Sequence, residues 1–131
     1  MKKGYKALLD EANALIETLP LEDAMALHGA EDVLFVDLRD RRELEREGRI
    51  PGAFHCPRGM LEFWIDPESP YHKTLFAEPK RFVFYCASGW RSALATKAAA
   101  EMGLENVAHV GGGYNAWKAA GGPTETLEKK D

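Results

Sequence analysis

Phe82-Val83-Phe84-Tyr85 is an unbroken run of four apolar or aromatic residues, followed by Cys86-Ala87-Ser88-Gly89-Trp90-Arg91 and then the alanine-rich stretch Ser92 to Met102 before Gly103. A short apolar run of this kind predicts a buried strand, and the alanine-rich stretch predicts a helix closed by glycine. Cys86 is therefore expected at the carboxyl end of a strand, facing the amino end of a helix. The rest of the chain repeats this alternation. Tyr5 to Leu15 places Leu8, Leu9, Ala12 and Leu15 on one helical face, expected to lie outside the main sheet. Ile16 to Leu19 reads as a short edge strand, and Pro20 opens a helix over Leu21 to His28. Val33 to Asp37 reads as a buried strand ending in an acid, and Arg41 to Glu47 as a charged helix stopped by Gly48. A strand over Ala53 to Cys56, a helix over Gly59 to Ile65, a strand over Val107 to Val110 and a helix over Tyr114 to Ala120 complete the pattern. Such alternation predicts an α/β fold built on a mainly parallel sheet of five strands, with right-handed crossovers covering both faces.

The cysteine's expected position has chemical consequences. Unpaired backbone N–H groups and the positive dipole end of a helix favour a thiolate and hold anions. Gly89 allows the loop to turn and brings backbone close to a ligand, Arg91 offers a planar donor fork for an oxyanion, and Ser92 suits a helix start. The loop Ala87, Ser88, Gly89, Trp90, Arg91 and Ser92 is accordingly the candidate anion-binding segment around a nucleophilic Cys86. In open α/β sheets the ligand sits beyond the carboxyl ends of the strands, which selects Asp37, Pro57-Arg58 and Gly111-Gly112-Gly113 as neighbours of that loop. Asp37 and Arg39 are expected to fix local hydrogen bonds and ion pairs. Arg58 either adds positive potential at the pocket mouth or is a solvated residue at a helix start. Trp90 and the proline-bounded segment 66–71 are candidates for shaping substrate choice.

Two further stretches have a recognisable form. Val36-Asp37-Leu38-Arg39 is followed by Glu43, Gly48 and Arg49-Ile50-Pro51-Gly52-Ala53, and later come Gly111-Gly112-Gly113-Tyr114, Trp117 and Gly121-Gly122-Pro123. Taken with the cysteine loop, these resemble a rhodanese domain from about Ile16 to Pro123. The resemblance implies a single rhodanese domain over 1–131, with a helix over 1–15 ahead of the core and a polar tail at 124–131. It also implies a sulfurtransferase in which Cys86 accepts sulfane sulfur, becomes a persulfide and passes the sulfur to a nucleophile. Each state of that cycle places negative charge on or beside one sulfur atom, where loop N–H groups can stabilise it. Four residues separate Cys86 from Arg91. Related phosphatases resemble a loop one residue longer, so the shorter loop favours sulfur over phosphate, and arsenate reduction ranks lower still. A sulfur-carrier or regulatory module docked to a protein partner is the second reading.

Thiosulfate, an organic persulfide, polysulfide or mercaptopyruvate is a reasonable donor, and cyanide, a small thiol or a protein thiol a reasonable acceptor. Positions 87 to 90 carry no charge, whereas some thiosulfate-using relatives resemble a loop with a basic residue there. No metal or organic cofactor is required: the four histidines at 28, 55, 72 and 109 make no ligand spacing with cysteine or one another. His55 and His72 fall near the expected pocket, but none of the four is assigned a catalytic role. Cys56 matches an apolar strand position and is expected in the core. A net charge of −4 with interleaved bases and acids gives no support for nucleic-acid binding. Nothing in the chain approaches a transmembrane length, and a cytoplasmic location is expected from the reactive thiol and the absence of a signal-peptide pattern.

Overall fold

A computed structural model describes residues 1–127. Its five strands are β1 (Glu17–Leu19), β2 (Val33–Asp37), β3 (Phe54–His55), β4 (Arg81–Tyr85) and β5 (Val107–Val110). They form one sheet in the order β1-β5-β4-β2-β3, and every pairing in it is parallel. β4 therefore lies in the middle, hydrogen-bonded to β2 on one side and β5 on the other. The apolar runs have this cause: a central parallel strand is covered on both faces, so it needs apolar side chains at every position rather than at alternate ones.

Successive residues of β4 go to opposite layers. Val83 and Tyr85 join Phe35, Leu19, Ala108, Val110, Tyr114 and Trp117 in one cluster. Phe82 and Phe84 join Val36, Leu61, Ile65, Phe76, Ala95 and Ala99 in the other. Burial of each large apolar side chain contributes about 1.5–3 kcal/mol, and a charge at any of these positions would remove that gain. Helices α2 (Leu21–Leu27) and α6 (Gly113–Ala119) supply the first layer; α4 (Leu61–Ile65) and α5 (Trp90–Glu101) supply the second. α1 (Tyr5–Leu15) packs on α5 rather than on the sheet. α3 (Arg41–Glu47) begins with a capping box: the Asp40 carboxylate accepts from the Arg42 N–H at 2.8 Å, and the Asp40 N–H donates to Glu43 Oε1 at 3.2 Å.

The structure corrects several sequence expectations. α5 starts at Trp90, not Ser92, because Gly89 caps it from the left-handed region at φ 105°. The helix expected from Gly59 is a 3-10 turn over Arg58–Met60 leading into α4, and a second 3-10 turn at Thr74–Ala77 carries no periodic signal. On α1 only Ala12 is fully buried, while Leu8 and Leu15 are exposed, since the helix meets an alanine-rich neighbour across a narrow contact. At the start of the expected polar tail, Arg49 and Glu125 exchange backbone hydrogen bonds of 2.9 and 2.8 Å, and just ahead of it Trp117 Nε1 donates to Pro123 O at 2.8 Å, neither of which the sequence announced. The remainder of that tail, 128–131, lies outside the described residues.

Candidate active site

Cys86 follows the last residue of β4 and is 1 % exposed. Its Sγ accepts from the Gly89 N–H at 3.2 Å and the Ser92 N–H at 3.4 Å, and it lies 3.6 Å from Ser92 Oγ. The N–H groups of Ala87, Ser88, Trp90 and Arg91 have no protein acceptor among the described residues. Six backbone donors thus belong to one short turn and the first turn of a twelve-residue helix, whose dipole adds positive potential there. Anionic sulfur, or an anion delivered to it, is the species such a turn stabilises.

Helix α6 holds the turn from behind. Tyr114 N–H donates to Cys86 O at 2.8 Å and Asn115 N–H donates to Ala87 O at 3.0 Å, so unpaired N–H groups of α6 are satisfied by the turn's carbonyls. Because a trans peptide points its N–H away from its C=O, the Ala87 and Ser88 N–H groups face away from α6. Such close backbone approach requires glycine at 113. A Cβ there would lie 2.6 Å from Ala87 O and 2.7 Å from Cys86 O, and φ is +64°.

The structure gives Arg91 a different engagement from the oxyanion fork expected of it. Its Nη1 and Nη2 donate to Glu43 Oε1 and Oε2 at 2.7 and 2.9 Å, a bidentate pair between the first turns of α5 and α3. That hydrogen bond holds the Glu43 carboxyl below the usual carboxylate range despite partial burial, and raises the Arg91 pKa, with Cys86 adding a smaller push in the same direction. Ser92 is not the helix start but its third residue, wholly buried, with its hydroxyl between Cys86 Sγ and His109 Nδ1 at 2.9 Å.

Trp90 is exposed on the surface, its ring 5.1 Å from that of Tyr5 on α1. Asp37 faces inward: its carboxylate takes Nε and Nη2 of Arg39 at 3.0 and 2.8 Å, and both residues are buried. Arg39 then donates to Gly48 O at 2.8 Å and lies 4.2 Å over the Tyr114 ring, tying the ends of β2 and α3 to α6 beneath the site. Arg58 pairs with Glu62 at 2.8 Å, one helical turn on. Cys56 is buried, and burial pushes its thiol up to about 12. His28, His55 and His72 each hydrogen-bond a backbone carbonyl, of Pro51, Arg39 and Trp64 respectively. No group of three or more potential metal ligands occurs among the described residues. A cleft of about 400 Å³ lined by Lys80, Phe82, Leu104 and Asn106 lies at the opposite end of β4 from Cys86.

Sequence reasoning passed over two residues of this arrangement. Glu43 was detectable through its Asp40-x-x-Glu43 spacing, but nothing in the sequence aimed its carboxylate at Arg91. His109 stood among scattered histidines, and only the sheet register sets it beside Thr18.

A parallel α/β sheet with a cysteine turn at the end of its central strand, seated on a helix amino terminus, is an arrangement whose backbone donors can hold an anion beside a sulfur atom. The family description "Rhodanese-like domain" matches residues 20–120, and the chain belongs to that family. The thiosulfate:glutathione sulfurtransferase of Saccharomyces cerevisiae is 32% identical over 114 residues, covering 82% of this chain and 81% of that one. The polysulfide-sulfur transferase homodimer of Wolinella succinogenes is 28% identical with a TM-score of 0.71, covering 95% of this chain and 88% of that one. A Rhodopseudomonas palustris protein described as of unknown function and a possible tyrosine phosphatase is 64% identical with a TM-score of 0.94, covering 95% and 96% of the two chains. No helix among the described residues is long and apolar enough to cross a membrane.

Proposed function

We propose that this protein is a sulfurtransferase that moves sulfane sulfur from a donor such as thiosulfate or an organic persulfide to a thiol or cyanide, through a persulfide on Cys86. The observation that carries this reading is the set of backbone N–H groups gathered around a buried Sγ, two of them already bonded to it. In the first half-reaction the Cys86 thiolate attacks the sulfane sulfur. A new S–S bond forms, the donor's S–S bond breaks, and the leaving group departs with the electron pair as sulfite or a thiolate. In the second, the acceptor attacks the outer sulfur and the Cys86 thiolate leaves. Negative charge stays on or next to one sulfur throughout, and the unpaired N–H groups of Ala87, Ser88, Trp90 and Arg91 are available to the outer sulfur and the departing anion. The names of the yeast and Wolinella relatives support thiosulfate, glutathione and polysulfide as first choices to test.

The phosphatase label on the Rhodopseudomonas protein makes phosphate the alternative to test against. Four residues between Cys86 and Arg91, and an Arg91 fork clasped by Glu43, favour a site for one sulfur over one for a tetrahedral phosphate. Intact-protein mass spectrometry before and after thiosulfate or glutathione persulfide, with Cys86→Ser alongside and a cyanide chase, decides it. A gain of one sulfur (~32 Da) that needs Cys86 and disappears with cyanide is expected. No gain with any donor, together with hydrolysis of a phosphotyrosine peptide, would overturn the reading. Loading followed by transfer only to a protein thiol would assign the carrier role.

A further inference from the structure

Cys86 has a continuous hydrogen-bonded connection to the edge strand of the sheet. Sγ lies 3.6 Å from Ser92 Oγ, Ser92 Oγ lies 2.9 Å from His109 Nδ1, and His109 Nε2 lies 2.9 Å from Thr18 Oγ1. Parallel register puts Thr18 of edge strand β1 directly beside His109 of β5, so the last link is fixed by the sheet ladder. Cys86, Ser92 and His109 are at most 3 % exposed, whereas Thr18 is exposed. The connection thus begins at a buried thiol and ends in water.

We infer that Cys86, Ser92, His109 and Thr18 form a proton relay that carries the Cys86 thiol proton to solvent at β1, with His109 changing tautomer as the proton passes. Only an imidazole in the middle permits this, since it holds one N–H donor and one acceptor nitrogen and can exchange them. With Cys86 as a thiol, S–H donates to Ser92 Oγ, Ser92 O–H to His109 Nδ1, and His109 Nε2–H to Thr18 Oγ1. On transfer the S–H bond breaks and its proton binds Ser92 Oγ, the Ser92 proton passes to Nδ1, the Nε2 proton passes to Thr18 Oγ1, and the Thr18 proton leaves to water. The thiolate then accepts from Ser92 O–H, Ser92 accepts from Nδ1–H, and Nε2 accepts from Thr18 O–H. Every link is bonded in both states, and one proton has left.

His109 remains neutral in both states, because burial lowers its pKa to about 4 and no carboxylate contributes to that shift. The charged groups on the adjoining elements are engaged elsewhere: Arg91 of α5 with Glu43, and Glu17 of β1 with Arg81 at 2.9 Å. The relay deepens the sulfurtransferase reading and rests on it only in taking Cys86 as the nucleophile. It lets that residue ionise with the donor already seated over the turn, without a proton path through the pocket.

The test is nitrogen-15 NMR of the full chain labelled at histidine, from about pH 5 to pH 9, with thiolate absorbance recorded on the same samples. His109 is expected to remain neutral and to invert from Nε2–H to Nδ1–H with the midpoint of Cys86 ionisation, while Ser92→Ala and Cys86→Ser each abolish the inversion. In Thr18→Val, an exposed position, exchange of the His109 ring proton with water is expected to slow severalfold. A single tautomer across the Cys86 transition, an imidazolium, or unchanged exchange in Thr18→Val would overturn the relay and leave His109 an anchor between α5 and β1. No sulfur donor enters these measurements, so their failure is distinct from a failure to load sulfur.

Discussion

Gly113→Ala tests the idea that the cysteine turn is held in shape by the amino end of α6. The added methyl would sit 2.6–2.8 Å from Ala87 O, Cys86 O and the Ala87 carbonyl carbon, all backbone, so no side-chain rotation relieves it. Helix and turn must separate, losing the Tyr114–Cys86 and Asn115–Ala87 hydrogen bonds. Two such bonds amount to ~2 kcal/mol net, and holding alanine in the left-handed region costs a further ~1–2 kcal/mol. The sum, ~3–4 kcal/mol, corresponds to a fall in Tm of about 10–15 °C for a domain of this size. Gly52→Ala is the control: Gly52 also has positive φ, at 79°, but a Cβ there meets nothing within 4 Å, so only the backbone cost applies. Thermal melts of the two variants and the rate of Cys86 alkylation by iodoacetamide form the assay. Gly113→Ala should melt well below Gly52→Ala and alkylate more slowly than wild type, because the Gly89 and Ser92 N–H groups no longer converge on Sγ. Equal melting shifts, with wild-type alkylation in both, would refute the reasoning.

Two other expectations follow from the charges. The folded His109 pKa of about 4 lies below its ordinary 6.5, so the unfolded chain takes up the proton first as pH falls. Stability associated with His109 is therefore full above the unfolded value and is lost between the two, by up to ~3 kcal/mol in all; about 2 kcal/mol of it is lost between pH 7.5 and pH 5, and urea melts at those two pH values should show that loss in wild type and not in His109→Gln. A double-mutant cycle on Glu43→Gln and Arg91→Ala should give a coupling of ~1 kcal/mol, because the pair is bidentate but partly exposed. Sulfur loading should weaken in both single variants, and a coupling near zero would show that the ion pair is not maintained in solution.

Where one layer of contacts decides the outcome, the sequence was readable. β2 was placed residue for residue because Val33 to Val36 can only be satisfied by burial, and α3 because Gly48 stops the charged run Arg41 to Glu47 locally. The turn around Cys86 was readable for the same reason, its donors all lying within seven residues. Features created by distant approach were not. Gly113 reads as one of three adjacent glycines until the Cys86 and Ala87 carbonyls arrive beside it. His109 depends on partners 91 and 17 positions away, and the Arg91 pairing spans 48. The start of α5 was misplaced because serine is a common cap, whereas here Gly89 supplies the turn and frees the Ser92 hydroxyl to point inward.

The contact of the tilted Tyr5 and Trp90 rings sets where the amino-terminal end of the chain emerges. Trp90 opens the helix whose first turn cradles Cys86, so whatever precedes Tyr5 emerges beside that turn. A flexible linker of about ten residues attached there spans roughly 17 Å, which keeps a fused thiol-bearing module within reach of the sulfur at millimolar effective concentration. The same tether makes the amino terminus the wrong place for a purification tag and the natural place to couple this domain to a second enzyme.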